Sequence, residues 1–453
     1  MLSPIFVPFI EKSPISVIAR GLLEHALSSE QLDKWFDSTA KEQYTKDLLF
    51  STTFNLMSMV VRGSYHSVHS AYQATEKGIN VSITSIYNKL QGIEPDISAG
   101  LVRYAAEKMA PIIKQLGGIA LSPLPGKRIK QLDGNCIKKT EHRIEELRTI
   151  AAGALPGKSL VVYDPVLRLP IDVFPCEDGH AQERSLLRTV LQTVEQDDVW
   201  VADRNFCVID FTCGIAASGA DFVIREHKKY PSEPFGDEKY IGKIETGSVY
   251  EQAILVRGND GKEYTFRRVR VKLKKKTRNG DDEIFIISTL SKSKADARKI
   301  AELYRDRWTI ETAFQYLEKH LNSEINTLGY PRAALFGFCI ALVAYSVMSV
   351  VLASIGSVHG ADFVDKNISG YYIANEISGV YLGMMIVIDQ SHWRIFQQMT
   401  SCALGELLKS LAAKIDLATL RKHSRGLKKP SPKRESYKNK PHVSTAKILA
   451  RRK

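Results

Sequence analysis

The chain has 453 residues, with 63 Lys and Arg against 50 Asp and Glu, a formal net charge of +13. Hydrophobic content of 44% and charged content of 25% exclude wholesale disorder, and the length allows about two to four domains. The six cysteines form no CxxC pair, which argues against a zinc ribbon and a disulfide framework. The first residues, MLSPIFVPFIEKSP, lack the basic start and long apolar run of a signal peptide, so a reducing, cytoplasmic setting is expected. Residues 421–453 hold 13 Lys and Arg against one acid, Glu435, leaving only +1 for residues 1–420. This block predicts a flexible arm that neutralises phosphate, with a merely solubilising tail as the alternative.

In chain order, residues 1–124 read as helical. Ser28-Ser29-Glu30 is a cap signal ahead of QLDKWFDSTAKEQYTKDLLF. YHSVHSAYQATEKGINVSITSIYNKLQG reads as helix, turn at Gly78-Ile79-Asn80, and helix. That is a helix-turn-helix layout, which plain bundle packing also produces. A third helix fits ISAGLVRYAAEKMAPIIKQLGG, and Pro123, Pro125 and Gly126 mark a boundary.

Over 125–235 the period changes. KRIKQLDGNCI, SLVVYDP and LRLPIDVFP read as strands, HAQERSLLRTVLQTVEQ as a helix, DVWVADRN as a strand, CVIDFTCGIAASG as a helix and ADFVIRE as a strand. Three hairpin-linked strands followed by βα units predict an α/β fold with a ribonuclease H-like mixed sheet. Residues 236–290 follow as a β insertion, with turns at Asn259-Asp260-Gly261 and Asn279-Gly280 between strands of an antiparallel meander. In its middle strand Val269, Val271 and Leu273 alternate with Arg268, Arg270, Lys272 and Lys274, placing four cations on one face. That face suits a nucleic-acid backbone; a solvated edge strand is the plainer alternative. KADARKIAELYRDRWTIETAFQYLEKHL reads as one long helix. The uncharged run 333–355 is long enough to span a bilayer, but its place within an α/β pattern predicts a buried core helix instead. Residues 291–355 complete the predicted catalytic core, 356–420 form a helical region, and 421–453 the basic tail.

The acids carry the chemistry. Asp133 ends the first core strand and Asp203 follows the apolar run VWVA of the fourth. These strands are neighbours in a ribonuclease H-like sheet, so two carboxylates would meet at one edge and need a cation between them. Mg²⁺ or Mn²⁺ takes such oxygen ligands and leaves positions for phosphate. The expected chemistry is in-line attack on a phosphodiester with two ions about 3.5–4 Å apart. A third carboxylate, Glu311, shares a helical stripe with Tyr304 and Arg307 at i, i+3 and i+7.

With QLDGN around Asp133, VADRNF around Asp203, DFVIRE around Arg225 and YRDRWTIE ending in Glu311, the chain resembles the DDE transposases of insertion-sequence family four. The resemblance covers about 120–350. It is most specific in the last motif, where Tyr304, Arg307 and Glu311 match the signature and Trp308 and Ile310 match its common form. It implies a ribonuclease H-like core, an N-terminal DNA-binding helical domain, and two divalent ions held by Asp133, Asp203 and Glu311. It also implies a dimer that pairs transposon ends. Two positions depart from the pattern. The signature lysine should fall at 318, where Glu318 stands with Lys319 next. The insertion has no tryptophan to hold a flipped base, which puts a hairpin intermediate in doubt.

The expected function is therefore cleavage and transfer of double-stranded DNA by a nucleoid-associated, non-membrane enzyme. Tyr304, Arg307, Trp308 and Lys319, with Arg225 and the Arg268, Arg270, Lys272 and Lys274 row, would contact DNA. A repurposed transposase that binds without cutting, and another ribonuclease H-like nuclease, are the alternatives.

Overall fold

Apolar residues recurring at helical spacing organise the first quarter of the chain. In the computed structural model, which describes residues 2–43, 47–75, 78–119, 121–138, 144–148, 154–277, 280–423 and 443–451, this quarter is all helix. Its main elements are α1 (Pro14–Leu27), α2 (Ser29–Thr39), α3 (Phe50–Val61), α4 (Val68–Thr75), α5 (Ile83–Gly92) and α6 (Pro95–Leu116). The cap signal at Ser28 is realised as a reciprocal box. The Ser28 hydroxyl accepts from the Gln31 N–H at 3.4 Å, and the Ser28 N–H donates to Gln31 Oε1 at 3.3 Å. α4 and α5 keep the helix-turn-helix layout: Ser82 caps α5, and the Tyr72 hydroxyl donates to the Val81 carbonyl at 3.0 Å.

The α/β part is one nine-stranded sheet. In chain order its strands are β1 (Arg128–Ile137), β2 (Gly157–Asp164), β3 (Leu169–Cys176), β4 (Asp198–Ala202) and β5 (Asp221–Arg225). β6 (Glu233–Ile244), β7 (Gly247–Arg257), β8 (Glu263–Leu273) and β9 (Glu283–Ser288) follow. The spatial order is β3-β2-β1-β4-β5-β9-β8-β7-β6. β1, β4 and β5 run parallel and every other neighbour is antiparallel. The first five positions are the ribonuclease H-like arrangement. The insertion continues the same sheet, because β9 pairs with β5 from Ile286 opposite Arg225 to Ser288 opposite Val223. The sequence reading found three strands there and missed β6. That strand carries Pro234, Gly236 and Gly242, shifts register twice and lies largely exposed, so no alternation marks it.

Strand alternation sorts side chains between two layers. Leu132, Trp200, Ala202, Phe222 and Ile224 face a cluster under α7 (Ile209–Ala217) and a helical turn spanning 183–191. Ile129, Val199, Val201, Val223 and Ile286 face α8 (Ala297–Arg305). The helix expected over 294–321 is two helices, α8 and α9 (Trp308–His320), broken at Asp306-Arg307.

α10 (Pro331–His359) is long and apolar enough to cross a membrane by length and composition alone. Here it is enclosed by protein: every residue from Leu335 to Val343 is buried. It packs on α3, α5, α6 and β3, and with α11 (Gly370–Val387) and α12 (Ser401–Ala412) it shares one core with the N-terminal helices. Phe50 links the two ends of the chain, its ring 4.6 Å from that of Phe36 and 5.9 Å from that of Phe336.

The basic tail departs from the expected free arm at its end. Val443-Ser444 pairs in parallel with Ala154-Leu155, and the turn of helix Thr445–Leu449 sets Ile448 and Leu449 against Ile144, Leu147 and Ala154. Lys447 Nζ lies 3.0 Å from the Asp178 carboxylate. Against a burial penalty, hydrogen bonds from Ser444, Lys447 and the His180 N–H bring the Asp178 carboxyl down to about 2. A few apolar residues among the cations suffice to dock this segment. Residues 424–442, which carry most of the cationic run, lie outside the described residues.

Candidate active site

Two parallel strands bring the first pair of acids together. Leu132 of β1 pairs with Ala202 of β4, so Asp133 and Asp203 are the next residues along matched strands. Leu132 and Ala202 point to the α7 layer, which turns Asp133 toward the α8–α9 layer. Asp203 leaves β4 to cap the turn Arg204–Phe206, and the Tyr304 hydroxyl on α8 donates to its Oδ1 at 3.2 Å.

The helix break supplies the rest. Arg307 sits at the junction and is 5% exposed. Its Nη1 donates to Asp133 Oδ2 at 3.1 Å and its Nη2 to Glu311 Oε1 at 2.6 Å. Asp133 Oδ1 accepts from the Gly134 N–H at 2.9 Å. The guanidinium also lies 6.0 Å from the Tyr304 ring and 5.6 Å from the Trp308 ring. Tyr304, Arg307 and Glu311 thus meet the two aspartates, although they do not lie on one continuous helix.

Burial dominates the electrostatics. It pushes the Asp133 carboxyl up to about 6, with Glu311 and Asp203 adding to the rise and Arg307 and the Gly134 N–H opposing it. Burial, then the Asp203 charge, pushes the Tyr304 phenol up to about 12, so it stays a proton donor at neutral pH. Burial disfavours the Arg307 cation, but Asp133, Asp203, Glu311 and Tyr304 outweigh it and hold the guanidinium above its ordinary value.

Three supports escaped the sequence reading. Gln131, 1% exposed, donates from Nε2 to the Asp306 carbonyl at 2.9 Å and accepts from the Thr309 hydroxyl at 2.7 Å, clamping the break. Its position two before Asp133 in a strand was the available signal, since period two puts both on one face. On the opposite side, a Cβ on Gly134 would come within 2.2 Å of Glu183 Oε1, so a larger residue there would push that carboxylate aside. Glu183 accepts from Asn205 Nδ2 at 3.3 Å, and Arg184 Nε donates to the Asn205 carbonyl at 2.9 Å, bracing the turn after Asp203.

The remaining candidates divide by position. Trp308 is 60% exposed beside the site. α9 is regular from 308 to 320, so Lys319 stays about 80° around the helix from Glu311. Lys319 and Glu318 are both exposed. Arg225 shares the face of Val223 and is paired with Asp281 at 2.8 Å. The insertion row faces the other way, because Val269 and Val271 occupy the α8 face. Arg268 reaches Glu226 and Ser232, Arg270 is held by Glu238 and Glu283, and Lys274 Nζ donates to the Glu245 carbonyl at 2.8 Å. Lys272 is exposed.

Asp133, Asp203 and Glu311 offer the oxygen donors that Mg²⁺ or Mn²⁺ prefers. In this arrangement, however, no three His, Cys, Asp or Glu among the described residues lie close enough together to hold an ion. The ribonuclease H-like sheet thus carries Asp133 where the pairing of β1 with β4 ends, Asp203 just after β4, and Glu311 beside them on α9. Residues 125–347 match the family model described as the transposase DDE domain. It is also similar to "Putative transposase y4zB" of Sinorhizobium fredii (strain NBRC 101917 / NGR234), with 25% identity over 203 residues. The match takes in 44% of this chain and 54% of the relative, so the chain spans about half the length of that relative.

Proposed function

We propose that this protein is a cut-and-paste transposase of insertion-sequence family four, cutting double-stranded DNA at the ends of its own element and joining them to a target. The carrying observation is that Arg307 bonds Asp133 and Glu311 and Tyr304 bonds Asp203, beside the point where the pairing of β1 with β4 ends. These carboxylates would hold Mg²⁺ or Mn²⁺, two ions in the family's pattern, and ions bound there activate the attacking oxygen and stabilise the leaving one. Arg307 offers a fork that matches phosphate, and Tyr304 keeps its proton to donate. Trp308 presents an exposed ring for stacking, and Lys319 reaches the backbone from farther along α9. Arg225 and the Arg268, Arg270, Lys272 and Lys274 row add affinity for the duplex. Residues 1–124, with the α4–α5 pair, supply a DNA-binding unit, and a homodimer brings two ends together.

The test uses duplexes carrying the inverted repeats that flank the gene. Asp133→Asn, Asp203→Asn and Glu311→Gln should each lower cleavage and strand transfer by at least about 10³-fold while end binding persists. A wild-type protein that binds these ends without cutting them would identify a binding protein instead. Cleavage without joining would point to a nuclease.

A further inference from the structure

Arg307 lies between Asp133 and Glu311 and donates a hydrogen bond to each. Four carboxylate oxygens of the three acids already accept protein hydrogen bonds. Asp133 Oδ1 takes the Gly134 N–H and Oδ2 takes Arg307, Glu311 Oε1 takes Arg307, and Asp203 Oδ1 takes the Tyr304 hydroxyl. A guanidinium cannot release its charge by losing a proton. A divalent ion entering beside it meets like-charge repulsion at a site where little water screens it. The ion and the buried guanidinium are therefore competitors for the same two carboxylates.

Two further observations bear on the mobility of Arg307. Its Nε is buried and finds no hydrogen-bond partner among the described residues, so the present position leaves one donor of the fork unspent. Its planar head also lies 5.6 Å from the ring of Trp308, which is 60% exposed. A phosphate at that surface would take two guanidinium donors at once, in the bidentate geometry that arginine favours.

We propose that Arg307 is a gate that couples metal binding to DNA binding. With the guanidinium between Asp133 and Glu311, the site disfavours divalent ions. A DNA phosphate draws the guanidinium outward along Trp308, and the freed carboxylates then close on the ions. This rests on the proposed function and adds a regulatory role for one of its residues. Ion loading becomes conditional on bound DNA, because either ligand lowers the cost of binding the other.

The test is Mn²⁺ binding by the full chain, followed by electron paramagnetic resonance of the free ion, with circular dichroism checking the fold of each variant. Arg307→Gln removes the competing charge and should bind Mn²⁺ about tenfold tighter than wild type, or more. Arg307→Lys keeps a cation there and should stay near wild type. A short DNA duplex should tighten Mn²⁺ binding to the wild type about as much as the Gln substitution does, and should add little to the Gln variant. An Asp133→Asn/Asp203→Asn double variant measures the Mn²⁺ held by DNA alone. If wild type and Arg307→Gln bind Mn²⁺ equally and DNA changes neither, the gate is overturned while the metal reading stands. If no protein binds Mn²⁺ above the double variant, with or without DNA, the metal reading itself falls. Should Arg307→Gln fail to fold, the wild type with and without duplex decides alone.

Discussion

The carboxylate cluster at β1, β4 and α9 and the arginine row on β8 lie on opposite faces of one sheet, and both look alike in composition: acids and arginines in contact. Their balance differs. On β8, Arg268 is matched by Glu226, and Arg270 by Glu238 and Glu283, across neighbouring strands or the adjoining loop. At the cluster one guanidinium is shared by two carboxylates, with a third acid close enough to act on it. The first pattern sets two arginines against three glutamates and braces the sheet. The second sets one arginine against three acids, a larger excess of negative charge, and such an excess attracts cations.

The largest expected effect tests whether the cluster depends on its scaffold. Gln131→Leu keeps the volume but leaves the Asp306 carbonyl and Thr309 hydroxyl without their partner, so the helix break and Arg307 should shift. Cleavage should fall about 10²-fold with Asp133, Asp203 and Glu311 all present. Wild-type rates in this variant would show that the break holds itself. Next comes stability on the other face. Arg268→Ala leaves the Glu226 carboxylate, whose side chain is 9% exposed, without its cation and with only the Ser232 hydroxyl among the described residues, and should cost about 2–4 kcal/mol in denaturant unfolding. A neutral result would mean that the row is not a structural brace.

The third effect is a pH dependence. The Asp133 carboxyl is raised from 3.8 to about 6 in the folded chain, so the folded state binds the extra proton between those values. The contribution of Asp133 to stability is therefore full below about 4 and declines as pH rises toward 6, by at most about 1.4 kcal/mol per unit. The stability difference between wild type and Asp133→Asn should drift in that window and be flat outside it. A difference that is constant from pH 4 to 7 would show that Asp133 titrates normally. The smallest effect separates paired from exposed cations on the insertion. Lys272→Ala and Lys274→Ala should each make the salt dependence of DNA affinity shallower by about 0.9 if they touch phosphate. Arg270, held by two glutamates, should change that slope less. The reverse order would break the distinction drawn here between the two.

Much of this was legible from residue order. Alternation over 128–225 yields the strand sequence of the core, and expected strand ends single out Asp133 and Asp203, although β1 runs on past Asp133 to Ile137. The motif around Glu311 names the third acid. Local pattern is enough for Asp203, which follows β4 directly, whereas Asp133 lies inside β1, one residue past its last pair with β4. Other features were hidden for physical reasons. Helical periodicity runs unbroken through Asp306-Arg307, so only the clamp from Gln131 reveals that the helix stops and restarts there. The cations of β8 alternate as a strand facing solvent would, and nothing local says that acids on β6, β9 and the loop after β5 will meet them.

By itself, then, the sequence determined the class of fold and a helical origin for Glu311, and it singled out Asp133, Asp203 and Glu311 as candidates, since periods of two and 3.6 and short-range spacing carry that much. The tertiary structure alone decided which face each charged row occupies and that the two ends of the chain share a core around Phe50 and α10. It also decided that residues 443–451 dock beside Ala154-Leu155, and that Arg307 sits between two of the acids. Each of these depends on contacts between residues far apart in the chain, where burial and pairing across elements outweigh any local preference.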